Sequence, residues 1–470
     1  MNHAGSGFKH ETRIAAALRR EFADWQIWIS RIVVIAMAIS AGLTVVGFTW
    51  LTDRALDGFL HLRMNWWWAP LLWTPLCTVG IVWLTRRHAP GSTGSGIPQV
   101  MAALDISVHD KSVGLFVSLK LTLWKIALSA WGLLAGLSLG REGPSVQIAA
   151  GIMHSARHWL PRRSPVNTHG LLVAGGAAGI AAAFNTPLAG VMFAIEELSR
   201  SPEQRNSGLI ISAIVIAGLV AVSAFGNATY FGVIHVRAIG LSLFWPGLLV
   251  AVSSGLAGGL FARLFLASLS GRPGSSITRW RARRPLAFAA ACGVGVAVIG
   301  FVTGGATFGS GYSYTRAMLA GTEQVPAAYT LLKFVATWLT AWSGVPGGIF
   351  APALAIGAAL GNNIAMLTQY PEAATLIALG MAGFLAAATQ APLTSFIIVM
   401  EMVDGHVMVL SLMACTLVAS GVARILSRPL YPMLAQLQLE RLPRTTAPEP
   451  EPEPAAAPAL PPPPATGEAA

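Results

Sequence analysis

The sequence predicts an all-α membrane protein made of two inverted repeats of broken helices, and three observations lead there. Of 470 residues, 54% are hydrophobic and 11% are charged, whereas a soluble domain carries about 25% charge. The apolar residues form runs such as 32–50, 71–84, 209–225, 241–266 and 408–422, which reach or approach the roughly 20 residues a helix needs to cross a bilayer core. About ten or more such segments fit the chain. The third observation is a repeat. Ala181-Ala182-Ala183, Pro187-Leu188 and Glu196 return as Ala386-Ala387-Ala388, Pro392-Leu393 and Glu401 at one offset (401 − 196 = 205). Gly140 and Pro144 return as Gly348 and Pro352 (352 − 144 = 208). Duplicated membrane domains commonly run antiparallel, which brings the broken helices of both halves to the midplane.

Residues 1–26 are polar and basic, without the short apolar core and small-residue cleavage site of a secretory signal, so no cleavage is expected. The membrane domain follows over 27–442, with repeat one at about 27–226 and repeat two at about 240–430. The net charge of +11 suits membrane orientation better than nucleic acid, because the basic residues sit in connections and termini. Arg13, Arg19 and Arg20 precede the first span, Arg86 and Arg87 follow the second, and Arg279, Arg281, Arg283 and Arg284 cluster mid-chain. Positive-inside logic puts all of these, and both termini, in the cytoplasm, with Trp66, Trp67 and Trp68 at the opposite interface. Residues 443–470 alternate Pro with Ala and Glu, a composition expected to stay extended and disordered.

Cys77, Cys292 and Cys415 lie in apolar stretches with no close pair, so they read as small core residues. His154 and His158 have a metal-compatible spacing, but Arg157 lies between them and no third ligand accompanies them, so no metal is expected. Gly132, Gly136 and Gly140, four apart, suggest a face for close helix packing.

The chemistry concentrates in the breaks. Gly140-Arg141-Glu142-Gly143-Pro144 places a carboxylate between two apolar stretches, where a charge costs roughly 2.5–3.5 kcal/mol and persists only beside a cavity, a partner or a transported ion. Gly348-Ile349-Phe350-Ala351-Pro352 has the same Gly-x-x-x-Pro shape, and Gly94-Ser95-Gly96-Ile97-Pro98 is a third break. Proline in a first turn marks each as a helix N-terminus, and free amides with the positive end of the helix dipole make such termini anion sites. Three of them with a buried carboxylate point to an anion pathway.

Taken in order, these three loops resemble the signature loops of the CLC chloride channels and proton-coupled chloride antiporters, over about residues 27–439. The resemblance implies a central chloride held by the hydroxyls of Ser95 and Tyr431 and the backbone amides of Ile349 and Phe350. It implies an outer site at the amides of Arg141, Glu142 and Gly143, which the Glu142 carboxylate occupies in place of chloride until it is protonated and swings out. Glu197 resembles the internal proton-transfer glutamate of the antiporter members, whereas Glu196, with its mate Glu401, reads as structural. Lys125 matches a buried lysine of bacterial members, though Met101 stands where those often carry a glutamate. By the same resemblance, Ser95 in the first loop implies a preference for chloride over nitrate.

The resemblance further implies a homodimer with a pore in each subunit, to which 207–225 and 408–422 could supply the contact. It implies a multi-pass protein of the bacterial inner membrane and no cofactor, the transported ions being chloride and protons. The tail is too short for the nucleotide-sensing domains of eukaryotic relatives. Exchange of chloride for protons is the leading expectation and a passive, voltage-gated type of chloride channel the alternative. An enzyme is not expected, since no His-Glu-x-x-His, Gly-x-Ser-x-Gly or membrane aspartate pair is present.

Overall fold

The computed structural model describes residues 25–440 except 106–109, 162–163, 165, 200–206, 227–228, 235–239, 272–274 and 324. The basic N-terminal segment with Arg13, Arg19 and Arg20 and the Pro-rich tail lie outside the described residues. Among those described there are helices and no strands.

Helix α1 (Trp25–Asn65) has 41 residues and is about 60 Å long, so it must tilt or project beyond a core of roughly 30 Å. It is followed by α2 (Pro70–His88), α3 (Ile97–Ala103), α4 (Leu119–Leu134), α5 (Glu142–Ser155), α6 (Thr168–Phe184), α7 (Pro187–Phe193) and α8 (Ser207–Phe225). The second half runs α9 (Phe244–Ser270), α10 (Ser276–Arg283), α11 (Pro285–Val302), α12 (Tyr312–Leu319), α13 (Ala328–Ser343), α14 (Phe350–Thr368), α15 (Ala373–Thr389), α16 (Pro392–Val403), α17 (Val409–Leu426) and α18 (Leu430–Leu439).

Among the described residues, six helices are long and apolar enough to span a membrane, fewer than the apolar runs suggest. The reason is punctuation: α6 and α15 stop at 17 residues, where Asn185 and Gln390 take the left-handed conformation (φ 58° and 61°), and a proline two residues on begins the next helix. A proline lacks the N–H that an N-terminal turn would leave unpaired, so it starts a helix without cost.

Lipid tails give helices no hydrophobic reason to associate, so small residues let backbones meet instead. A Cβ on Gly357 of α14 would lie 2.3 Å from Gly380 O of α15, and one on Gly179 of α6 would lie 2.5 Å from Ser145 O of α5. The suggested packing face of Gly132, Gly136 and Gly140 is not observed as such. Helix α4 ends at Leu134, and Gly136 lies beyond it at φ 75° with the Phe59 ring where a side chain would stand.

The halves meet at the centre. Gly140 and Gly348 pair as an isolated antiparallel bridge, Gly140 N donating to Gly348 O at 2.7 Å and Gly348 N to Gly140 O at 2.8 Å. This bridge ties the starts of α5 and α14 side by side.

Candidate functional site

Three helix N-termini converge on this bridge. In α5, Arg141 is the N-cap and Glu142 the first residue; in α14, Ile349 is the N-cap and Phe350 the first residue. Helix α3 starts after Gly96, whose φ of 110° only glycine adopts readily. A Cβ on Gly143 would stand 2.2 Å from Ser95 Oγ and 3.3 Å from Gly348 Cα, and one on Gly96 would stand 2.6 Å from Gly143 O. The glycines are there because backbone meets backbone at this point. The first amides of each helix have no intrahelical acceptor, so all three present N–H groups and partial positive charge to a common region.

Ser95, Glu142 and Tyr431 are the side chains brought to this region. Tyr431, at the start of α18, is fully buried, with its ring parallel to that of Phe350 (centroids 6.2 Å apart, planes at 7°). Ser95 and Tyr431 line the same cavity of ≈ 70 Å³ together with Ile349. Ser95 Oγ, Tyr431 Oη and both carboxylate oxygens of Glu142 are buried without a hydrogen bond of full geometry, although the Ser95 and Tyr431 hydroxyls face each other and the amides of Arg141, Glu142 and Ala351 turn toward the carboxylate. Buried polar atoms are nearly always paired, and these four stand together around converging helix starts, an arrangement able to receive a polar species.

The Ser95 loop is held from behind. Lys125 Nζ, fully buried, donates to Ser92 O (2.8 Å) and Gly94 O (2.6 Å), and Gly347 N also donates to Gly94 O. Two backbone carbonyls thus receive the ammonium that Met101 cannot match. Sequence reasoning looked for a carboxylate and could not see carbonyls. Gln99 closes the loop, accepting from Gly96 N at 3.0 Å and donating to Thr93 O.

Glu197 is buried in the wide turn Ala194–Leu198 that ends α7. Ser199 N reaches Ala194 O at 2.7 Å, a π-type closure, and such widened turns often reorient functional side chains. Its neighbour Glu196 goes elsewhere: its two carboxylate oxygens accept from Leu393 N (3.1 Å) and Thr394 N (2.7 Å), capping α16. Glu401 of α16 returns the contact, accepting from Leu188 N (3.2 Å) and Ala189 N (2.7 Å) of α7. The shared structural work expected of Glu196 and Glu401 is therefore reciprocal capping.

Beside Arg141, the N-cap of α5, lies a cavity of ≈ 520 Å³ walled by Arg141, Asp53 and Tyr230 among others. The Arg141 guanidinium pairs with Asp53, donates to the Tyr230 hydroxyl at 3.2 Å and lies 5.9 Å from the centre of that ring. Tyr312 Oη donates to Tyr230 O at 2.8 Å. Tyr230 and Asp53 went unnoticed in the sequence, because each lies almost ninety positions from Arg141 and no pattern connects them.

Away from the site, His154 Nε2 is 2.9 Å from Arg157 Nη1, and the three cysteines are buried.

Apolar spanning helices, starts joined across a duplication, and orphaned hydroxyls with a carboxylate at those starts define an ion-translocating class of membrane protein. A family model described as the voltage-gated chloride channel matches residues 77–424, and the chain belongs to that family, the CLC proteins. Its members are transporters or channels. Among solved structures it is similar to a slow cyanobacterial Cl−/H+ antiporter (25% identity, 88% of this chain and 98% of that one, TM-score 0.73). It is also similar to a CLC-type fluoride/proton antiporter (22% identity, 87% and 98%, TM-score 0.72). A eukaryotic CLC transporter matches at 19% identity, over 87% and 75%, with TM-score 0.70. At the latter two identities the likeness speaks for the fold alone.

Proposed function

We propose that the chain exchanges chloride for protons across a membrane. One observation carries the proposal: the hydroxyls of Ser95 and Tyr431 and both oxygens of Glu142 are buried around three helix N-termini, the carboxylate held only loosely by the amides of Arg141, Glu142 and Ala351 and none of the four atoms in a hydrogen bond of full geometry. An anion supplies what the hydroxyls and amides lack, and a proton supplies what the carboxylate lacks. The similarity to a Cl−/H+ antiporter at 25% identity favours the same pair of ions.

In this reading chloride is held by Ser95, Tyr431 and the amides of Ile349 and Phe350, by partial charges alone. Such a shell replaces water yet releases the ion, as turnover demands. The amides of Arg141 and Gly143 form the outer site. Ionised Glu142 fills that site and blocks the path; protonated, it loses its attraction for the amides, leaves, and admits chloride. Glu197 delivers protons to Glu142 from the side away from Asp53, along a route separate from chloride.

The protein works as a multi-pass homodimer in the cell membrane, of the bacterial inner membrane type, with both termini cytoplasmic. The side of Arg86 and the α10 arginines then faces the cytoplasm. Exposed apolar residues of α8 and α17, such as Ile211, Leu219, Leu410 and Leu417, suit the subunit contact, since a membrane interface is built on packing. The test is the reversal potential of purified protein in liposomes under a chloride gradient and an opposed pH gradient. Exchange makes it depend on both gradients. Strict Nernst behaviour for chloride, with no pH term, would reject exchange in favour of a channel.

A further inference from the structure

Tyr230 carries a hydroxyl with hydrogen-bonding capacity to spare. Its segment, between α8 and α9, is pinned to the end of α16, Phe231 N donating to Met402 O and Ile234 N to Val403 O, both at 3.0 Å. Three rings brace the phenol edge-on, with centroids 5.0 Å away at Phe231, 4.9 Å at Tyr312 and 5.6 Å at Phe184. Tyr312 Oη holds the backbone as well, donating to Tyr230 O. The ring is therefore fixed before its hydroxyl is used. The hydroxyl oxygen accepts from Arg141 Nη2 at 3.2 Å, but a phenol also donates, and no acceptor for its proton stands among the described residues.

This spare donor stands close to the gate. Phe184 lies 6.0 Å from Phe350, the first residue of α14, so one ring separates Tyr230 from the helix start against which the Glu142 carboxylate folds. A Cβ on Gly140 would collide with Glu142 Oε2 and stand 3.3 Å from Ala351 Cβ. Glu142 is within electrostatic range of both Arg141 and Tyr230. Arg141 is the poorer partner for it, because the guanidinium already pairs with Asp53 and donates to Thr49 O at 3.4 Å. A cation would also hold an ionised acid too firmly for it to return, whereas a neutral hydroxyl binds and releases.

We infer that the Tyr230 hydroxyl is the dock that receives the Glu142 carboxyl group when it leaves the outer site. One oxygen of the protonated acid accepts the phenolic O–H, and the acid's own proton is presented to the ≈ 520 Å³ cavity that Tyr230 and Arg141 wall. There the acid O–H bond breaks, water takes the proton, and the carboxylate goes back to the amides. Tyr230 positions the acid and neither gains nor loses a proton. While the acid is docked the outer site is left to chloride, so the strength of this one bond sets how often the path stands open. The inference rests on the proposed exchange with Glu142 as its gate.

The experiment compares the chloride dependence of transport in proteoliposomes for wild type, Tyr230→Phe, Glu142→Ala and the double variant. Tyr230→Phe keeps the ring contacts and loses only the O–H. The acid then returns to the outer site more often, and the apparent affinity for chloride falls with the fraction of open sites. Half-saturating chloride should rise about threefold or more, as the loss of one hydrogen bond implies. Glu142→Ala leaves no acid to dock, so adding Tyr230→Phe to it should produce no further shift. An unchanged half-saturation in Tyr230→Phe overturns the inference. So does an equal shift in the Glu142→Ala background, which would put the hydroxyl on the chloride path or in the fold. Wild type that carries no chloride, or proton coupling that survives Glu142→Ala, overturns the exchange reading itself, which separates the two failures.

Discussion

The two halves of the chain match where they build and differ where they would act. Lys333 repeats Lys125 (333 − 125 = 208), is as deeply buried, and donates to Thr307 O (2.9 Å) and Gly309 O (2.7 Å). These are the counterparts of Ser92 O and Gly94 O at one offset (307 − 92 = 215; 309 − 94 = 215). Gly140 repeats in Gly348 and Glu196 in Glu401, each making its mate's contact in return. Glu142, by contrast, has Phe350 as its mate (350 − 142 = 208), and Glu197 has Met402 (402 − 197 = 205). Duplication supplied two copies of a frame, and the acids proposed to carry protons stand in one copy only. Symmetric positions should therefore respond to mutation in stability and asymmetric ones in coupling.

The largest expected effect falls on the unmatched Glu142. Glu142→Gln should abolish coupled proton movement while chloride still passes, because an amide cannot cycle a proton or take the anion's place with a charge. Parallel pH and chloride electrodes on proteoliposomes read both fluxes, and surviving proton uphill transport would remove Glu142 from its role. Glu197→Gln should follow, slowing protons by about tenfold or more, as the loss of a positioned acid–base group does, with chloride flux persisting. If chloride stops as well, Glu197 is part of the anion path.

Next come the matched lysines. Lys333→Met strands two buried carbonyl oxygens, whereas Lys125→Met strands Ser92 O and leaves Gly94 O with its second donor, Gly347 N, and an unsatisfied buried group costs about 1–3 kcal/mol. Thermal unfolding in detergent should show a loss for both, the larger for Lys333→Met. Only Lys125→Met should also weaken chloride binding by calorimetry, since its loop carries Ser95. Equal chloride defects would mean that the Ser310 loop of the second half serves the ion too.

Much of this frame was legible because membrane proteins leave few options for punctuation. Gly-x-x-x-Pro at 140–144 and 348–352 marked helix starts, and the constant offset of Glu196 and Glu401 marked a common task. Lys333 was equally within reach, since the 208-residue offset that links the two breaks also links it to Lys125. Other features depend on distances the chain does not encode locally. The Arg141–Asp53–Tyr230 cluster joins three segments, and the carbonyl cradle of Lys125 has no side-chain signature. The spacing of Gly132, Gly136 and Gly140 misled because periodicity says nothing of where a helix ends.

The smallest effect on transport tests the reciprocity itself. Glu196→Gln replaces one acceptor with a donor that faces a backbone N–H at α16, and Glu401→Gln does the same at α7. Each loses one charge-assisted bond of the kind that contributes about 1.5–3 kcal/mol. The two variants should fall in unfolding temperature by similar amounts, with the proton-to-chloride ratio intact. Both bonds tie the same pair of helices, so the double variant should cost less than the two singles together, as neighbouring sites do. A strictly additive double variant would mean that α7 and α16 are capped independently and that the pseudo-symmetric contact is not one structural unit.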